Sequence, residues 1–353
     1  MLRFPSFALA ALALSACALS ASGPGDPTAS AQQAIVGGTP DTQDGAVVLI
    51  LVTTGQTSYT CTGALIAPNL VLSDRVCAAT LPNNVVDCAS STYGATLDPS
   101  TLTVIGDAAP SQSGGGPQSK AAVSQILVPG DAHVCGADVA LLVLAAPLPG
   151  AITPLVPRLD SAPADGEAFT LVGYGVSSAT DPTGSTGGTR RSGSGTVSCT
   201  DATCGGADLV PSNEFEVTAG FCEGDSGDPA IAADGRVIGV GSRGGSTCTE
   251  GIFERADAWA SFLRQGAQTA ATAGGYAPPS WAVAGGDAGN EGGGGTPSGG
   301  SSSGGSSSGG SSSPGGGCAV APASSGGCGL ECAAATLALG LVLARRRRVP
   351  AAA

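Results

Sequence analysis

The chain has 353 residues, a size that allows one to three domains. Acidic residues number 27 against 14 Lys and Arg, and residues 35–265 alone carry 23 acidic and 9 basic side chains, so a phosphate backbone would be repelled and nucleic acid is excluded as a partner. The single histidine, His133, argues against His-rich zinc sites and confines imidazole acid–base chemistry to whatever that one residue reaches.

Residues 1–17 read as a secretory signal, with Arg3 followed by an apolar stretch too short to span a membrane. Leu14-Ser15-Ala16-Cys17 resembles the lipobox of bacterial lipoproteins, in which Cys17 would be lipidated; ordinary signal cleavage within 18–22 is the alternative. Either route delivers the chain to a compartment where disulfides persist. Residues 18–34 then form a pro-segment.

From 35 to 268, short apolar runs (47–52, 102–105, 139–144, 169–172, 237–240) are separated by Gly, Pro, Asn and Asp, the pattern of an all-β sandwich or barrel. One helix is expected over 257–268, with Trp259, Phe262 and Leu263 on a single buried face. Residues 269–284, Ala-rich with a Pro pair, lead into a Gly/Ser linker running to 317, a flexible tether with a mean span on the order of 30 Å. After Cys318, Cys328 and Cys332 come the apolar run 333–344 and four arginines at 345–348. That run makes a helix of about 18 Å, short of a hydrocarbon core of about 30 Å, and the arginines mark a cytoplasmic side. The tail, 318–353, resembles the C-terminal sorting tails of some myxobacterial surface proteins. The expected location is the cell surface or outer membrane, held by the tail or a lipidated Cys17, or the secreted medium.

The remaining cysteines are Cys61, Cys77, Cys88, Cys135, Cys199, Cys204, Cys222 and Cys248. An even set in an exported domain points to four disulfides whose connectivity the spacing leaves open. No zinc-like CxxC pair occurs among them, so neither metal nor cofactor is expected.

Six segments, in order, resemble the trypsin-like serine peptidases. They are Ile35-Val36-Gly37-Gly38, Cys61 through Leu65-Ile66 to Cys77, Asp138-Val139-Ala140-Leu141-Leu142, Gly173-Tyr174-Gly175, Gly224-Asp225-Ser226-Gly227-Asp228-Pro229, and Gly251-Ile252-Phe253 followed by the Trp259 helix. The resemblance spans most of 35–268. It implies two antiparallel six-stranded β-barrels, a cleft between them and a C-terminal helix. It also implies the pairs Cys61–Cys77 and Cys222–Cys248, with Cys199–Cys204 and Cys88–Cys135 completing the set.

A serine hydroxyl needs a base to take its proton, a third group to hold that base, and donors for the developing oxyanion. The resemblance assigns Ser226 as nucleophile, the N–H groups of Gly224 and Ser226 as oxyanion hole, and Asp138 as the orienting carboxylate. The base should stand immediately before Cys77, and that residue is Val76, which accepts no proton. Asp74 and Arg75 flank the gap; an Asp is too acidic to serve unless buried, and Arg stays protonated. The resemblance further implies that cleavage before Ile35 would free an amino group to pair with Asp225. Gln33-Ala34 precedes that bond, so a trypsin-like activator would not cut it. Gly220, Ser242 and Gly244 are the expected specificity-pocket positions, with Gly220 excluding an Arg/Lys preference. Arg243 replaces an aromatic wall, and Asp228 a glycine.

Three functions compete. The first is an impaired peptidase homologue that binds a protein or peptide in the old cleft. The second is an active endopeptidase with an unusual base such as His133, five residues before Asp138. The third is a structural or adhesive surface protein. A monomer is expected.

Overall fold

The computed structural model describes residues 35–283, except 37, 82–85, 111–115, 182–183, 202–203, 205–209 and 211. The signal, Cys17, the pro-segment, and the linker and tail from 284 onward lie outside the described residues.

After a short β1 (Thr39–Pro40), the first barrel is built from β2 (Val47–Thr54), β3 (Thr57–Ala67), β4 (Leu70–Ser73), β5 (Leu102–Ile105), β6 (Lys120–Leu127) and β7 (Ala140–Leu144). They close in the order β2-β3-β4-β7-β6-β5, which leaves no unpaired edge. Alternation along β7 explains its unbroken apolar sequence. Ala140, Leu142 and Leu144 face the barrel interior, while Leu141 and Val143 face a second core shared with the other barrel.

The connection carries β8 (Val156–Pro157), parallel to the later strand Arg236–Gly244. The second barrel comprises β9 (Ala168–Gly173), β10 (Arg191–Cys199), β11 (Glu214–Thr218), β12 (Pro229–Ala232), β13 (Arg236–Gly244) and β14 (Glu250–Arg255), closed by β9–β10 pairing. Its core centres on Phe253, whose ring lies 5.5 to 6.1 Å from those of Phe221, Phe215 and Phe169. The two antiparallel six-stranded barrels agree with the expected fold. All four disulfides connect as the resemblance implied.

The helix departs from expectation at both ends: α1 is Ala260–Gly274, not 257–268. The Asp257 carboxylate is engaged by Arg255 at 2.7 Å, and the helix begins after a turn closed by Ala260 N–H on Asp257 O. It continues because small residues let it dock closely. A Cβ on Gly266 would run into Leu141, and Ala267 and Ala270 are fully buried. Gly275 ends it in the left-handed region, at φ 69°. The segment after 268 is therefore not the start of the tether. Tyr276 donates to Asn69 at 2.6 Å, Arg264 donates to Trp281 O at 2.7 Å, and Trp281 is buried. Of the expected helix face, Leu263 is buried, whereas Trp259 and Phe262 pack edge-on at its margin.

Candidate active-site cleft

The loop between β11 and β12 carries Ser226 and is clamped by β3. Thr62 N–H donates to Ser226 O at 2.9 Å, and the Thr62 hydroxyl to Gly224 O at 2.9 Å. Gly227, at φ 83°, lies so close to Ser73, Thr62 and Asp74 that no side chain fits. Asp225 accepts the Gly175 and Cys222 N–H groups at 2.7 and 3.1 Å. The N–H groups of Gly224 and Ser226 have no protein acceptor among the described residues, as an oxyanion site requires.

Asp138, at the entry to β7, is fully engaged. Its Oδ1 accepts Arg75 and Val76 N–H at 2.7 and 3.2 Å, and its Oδ2 accepts the Ser242 hydroxyl at 2.7 Å. The framework that would orient an imidazole is thus assembled around position 76, and the side chain there is valine. Val76 and Ser226 line one cleft of about 1050 Å³, together with Tyr59, Leu81, Leu97 and Glu223.

His133 does not fill the gap. Its imidazole is 56% exposed, its Nδ1 is 2.7 Å from Asp131 Oδ1, and it is not among the residues lining the cleft. Arg75 is also committed elsewhere: its guanidinium bonds Asp131 O and lies 5.2 Å above the Tyr93 ring.

Asp74 is the unexpected neighbour. Its carboxyl is wholly buried beside Ser226, with Oδ2 unbonded and Oδ1 accepting Cys77 N–H at 3.3 Å. Burial, reinforced by the charge of Asp138, pushes it well above the usual carboxylate range. Asp228 is buried with neither oxygen bonded, and is raised by burial and by Asp225 and Asp74. Burial raises Asp225 to about 8 against its two N–H donors, and raises Asp138 against its own hydrogen bonds. Their order along the chain hides this cluster; only the meeting of the barrels assembles it.

Ile35 is buried, with its Cδ1 beside Gly173 close to Asp225 Oδ1, and Val36 N–H reaches Gly220 O at 3.4 Å. It sits at φ 53°, a conformation that strains a β-branched residue.

The expected specificity pocket is not an open slot. Gly220 is buried, Ser242 is turned to Asp138, and Arg243 pairs with Glu214 at 2.6 and 2.9 Å. Beside Gly244 lies the ring of Phe221, 4% exposed. Two features were therefore missed in the sequence: Phe221 and the burial of Asp74. The available signals were the bulk of Phe221 between the pocket glycine and Cys222, and an acid set in the otherwise apolar approach to Cys77.

A family model for trypsin matches residues 35–261. No curated protein matches in sequence. Among solved structures, one described as GrC is similar at 18% identity and a TM-score of 0.52, covering 65% of this chain and 97% of its own. Human heparin binding protein is similar at 20% identity and a TM-score of 0.48, covering 65% and 95%.

Proposed function

Because the chain belongs to the trypsin family of serine peptidases, whose chemistry needs a base beside the nucleophile, we propose that it is a catalytically impaired member that binds a protein or peptide in the old cleft. One observation carries the reading. Asp138 is bonded to the backbone at 75 and 76 and to Ser242, and the side chain between it and the cleft of Ser226 is Val76, which accepts no proton. Asp74, buried beside Ser226, has its carboxyl pushed well above the usual carboxylate range by burial and by Asp138, because a charge there is costly to form. His133 is bonded to Asp131, so the reading with His133 as base has no support.

The N-terminal device belongs to the same proposal. Cutting before Ile35 would remove the preceding carbonyl, and with it the φ strain, and would supply an ammonium for Asp225. Four disulfides in such a domain fit an extracellular compartment. Among the described residues no helix is long and apolar enough to cross a membrane. We extend the proposal to display at the cell surface through the tail or Cys17; fractionation with tail-deleted and Cys17→Ala chains tests it.

The functional test is labelling of Ser226 by a fluorophosphonate, alongside casein hydrolysis. The expected result is negligible labelling and no hydrolysis. Labelling at the rate of an active serine peptidase overturns the reading.

A further inference from the structure

We infer that Phe221 is a built-in plug of the primary specificity slot, so that this cleft accepts no ligand side chain there. The slot walls are glycines on β13 and β14, and the ring of Phe221 stands against each of them. A Cβ on Gly244 would lie 2.8 Å from Phe221 Cδ1, and one on Gly251 would lie 3.3 Å from Phe221 Cβ. A Cβ on Gly241 would run into Phe221 Cε2. Glycines that bare a wall on three sides normally leave room for a guest; here the guest is the chain's own aromatic ring.

The plug is anchored rather than loosely placed. Phe221 packs edge-on against Phe253 at 5.5 Å, belongs to the second barrel's core, and is 4% exposed. Its backbone is held next to Cys222, which is tied to Cys248. The glycine void on Gly241 is shared with Asp228 Oδ1, so a carboxyl lies against the inner edge of the ring. Removing the ring would leave an apolar slot with room for an aromatic ring and a buried carboxyl at its side.

The consequence for ligand choice rests on the binding role proposed above. A peptide in the cleft would engage the open side of Ser226, along Tyr59, Val76, Leu81, Leu97 and Glu223, with a small residue or none facing the plugged slot.

Benzamidine is the probe, with binding read by calorimetry on the wild-type protein, Phe221→Ala and Phe221→Leu. Wild type is expected to show no saturable binding at millimolar benzamidine. Phe221→Ala should bind at least roughly tenfold more tightly than that limit, the gain expected from burying an aromatic ring. Phe221→Leu, which retains most of the apolar volume, should fall between them and keeps the comparison available if the alanine variant does not fold. Saturable binding to wild type overturns the plug whatever the variants do, as does a folded variant pair that binds no better than wild type. Either failure leaves the proposed binding role standing, because that role depends on Val76 and not on Phe221.

Discussion

The charge state of Asp225 gives the most demanding prediction. In the uncut chain its carboxyl is fully buried and titrates at about 8, against 3.8 for an ordinary aspartate. A raised acid is protonated in the folded state while it ionises in the unfolded one. Stability is therefore complete below about pH 4 and is lost as pH climbs from there towards 8. At about 1.36 kcal/mol per unit, the loss reaches about 5 kcal/mol at pH 7.5 but only about 1.6 at pH 5. Asp225→Asn abolishes this titration and keeps the bond from Gly175 N–H, but turns an amide NH₂ towards Cys222 N–H, costing about 1–2 kcal/mol. Urea unfolding of the uncut, disulfide-intact chain should show Asp225→Asn more stable by about 3 kcal/mol at pH 7.5 and close to neutral at pH 5. In a chain that begins at Ile35 the sign should reverse, with a loss of about 3–5 kcal/mol, because the substitution then strips a buried ammonium of its partner. Destabilisation of the uncut chain at pH 7.5 would refute the reasoning, since it would mean the carboxylate is already paired there.

Three further outcomes are expected. Val76→His restores a base between Asp138 and Ser226, and fluorophosphonate labelling should accelerate by about 10²–10⁴-fold; an unchanged rate would mean the cleft geometry, not the missing base, is limiting. Residual labelling of the wild type should rise with pH as Asp74 ionises and gains the ability to accept the Ser226 proton, and Asp74→Asn should flatten that rise; identical pH profiles for the two chains count against the role given to Asp74. Glu214→Gln takes the charge from a fully buried carboxyl that holds Arg243 and the Gly136 and Val210 N–H groups, and should cost about 3–5 kcal/mol in urea denaturation, with a cost below 1 kcal/mol showing that the neutral amide serves as well.

Local sequence determined a great deal. Turn-punctuated apolar runs marked β2, β5, β7, β9 and β13, because strand formation depends on alternation within a few residues. Short motifs singled out Ser226, Asp138 and Val76 as one candidate site, and the structure puts Val76 and Ser226 on one cleft with Asp138 bonded to the backbone at 75 and 76. Their resemblance to a family supplied the barrel pair and the disulfides, which composition and spacing alone left open. The helix was legible only as far as its large apolar residues. Beyond 268 its face consists of alanines and a glycine, whose smallness becomes a signal only when Leu141 and Asn69 are known to lie against it.

Tertiary structure decided the rest. Whether Asp74 is an ordinary surface acid or a buried carboxyl beside Ser226 depends on how closely the two barrels approach, and the resulting loss of water raises its proton affinity. Whether Phe221 projects into solvent or plugs a slot depends on three glycines of β13 and β14 folding back over it. A motif specifies which atoms are present at a site; burial and vacancy are properties of what distant segments place around them.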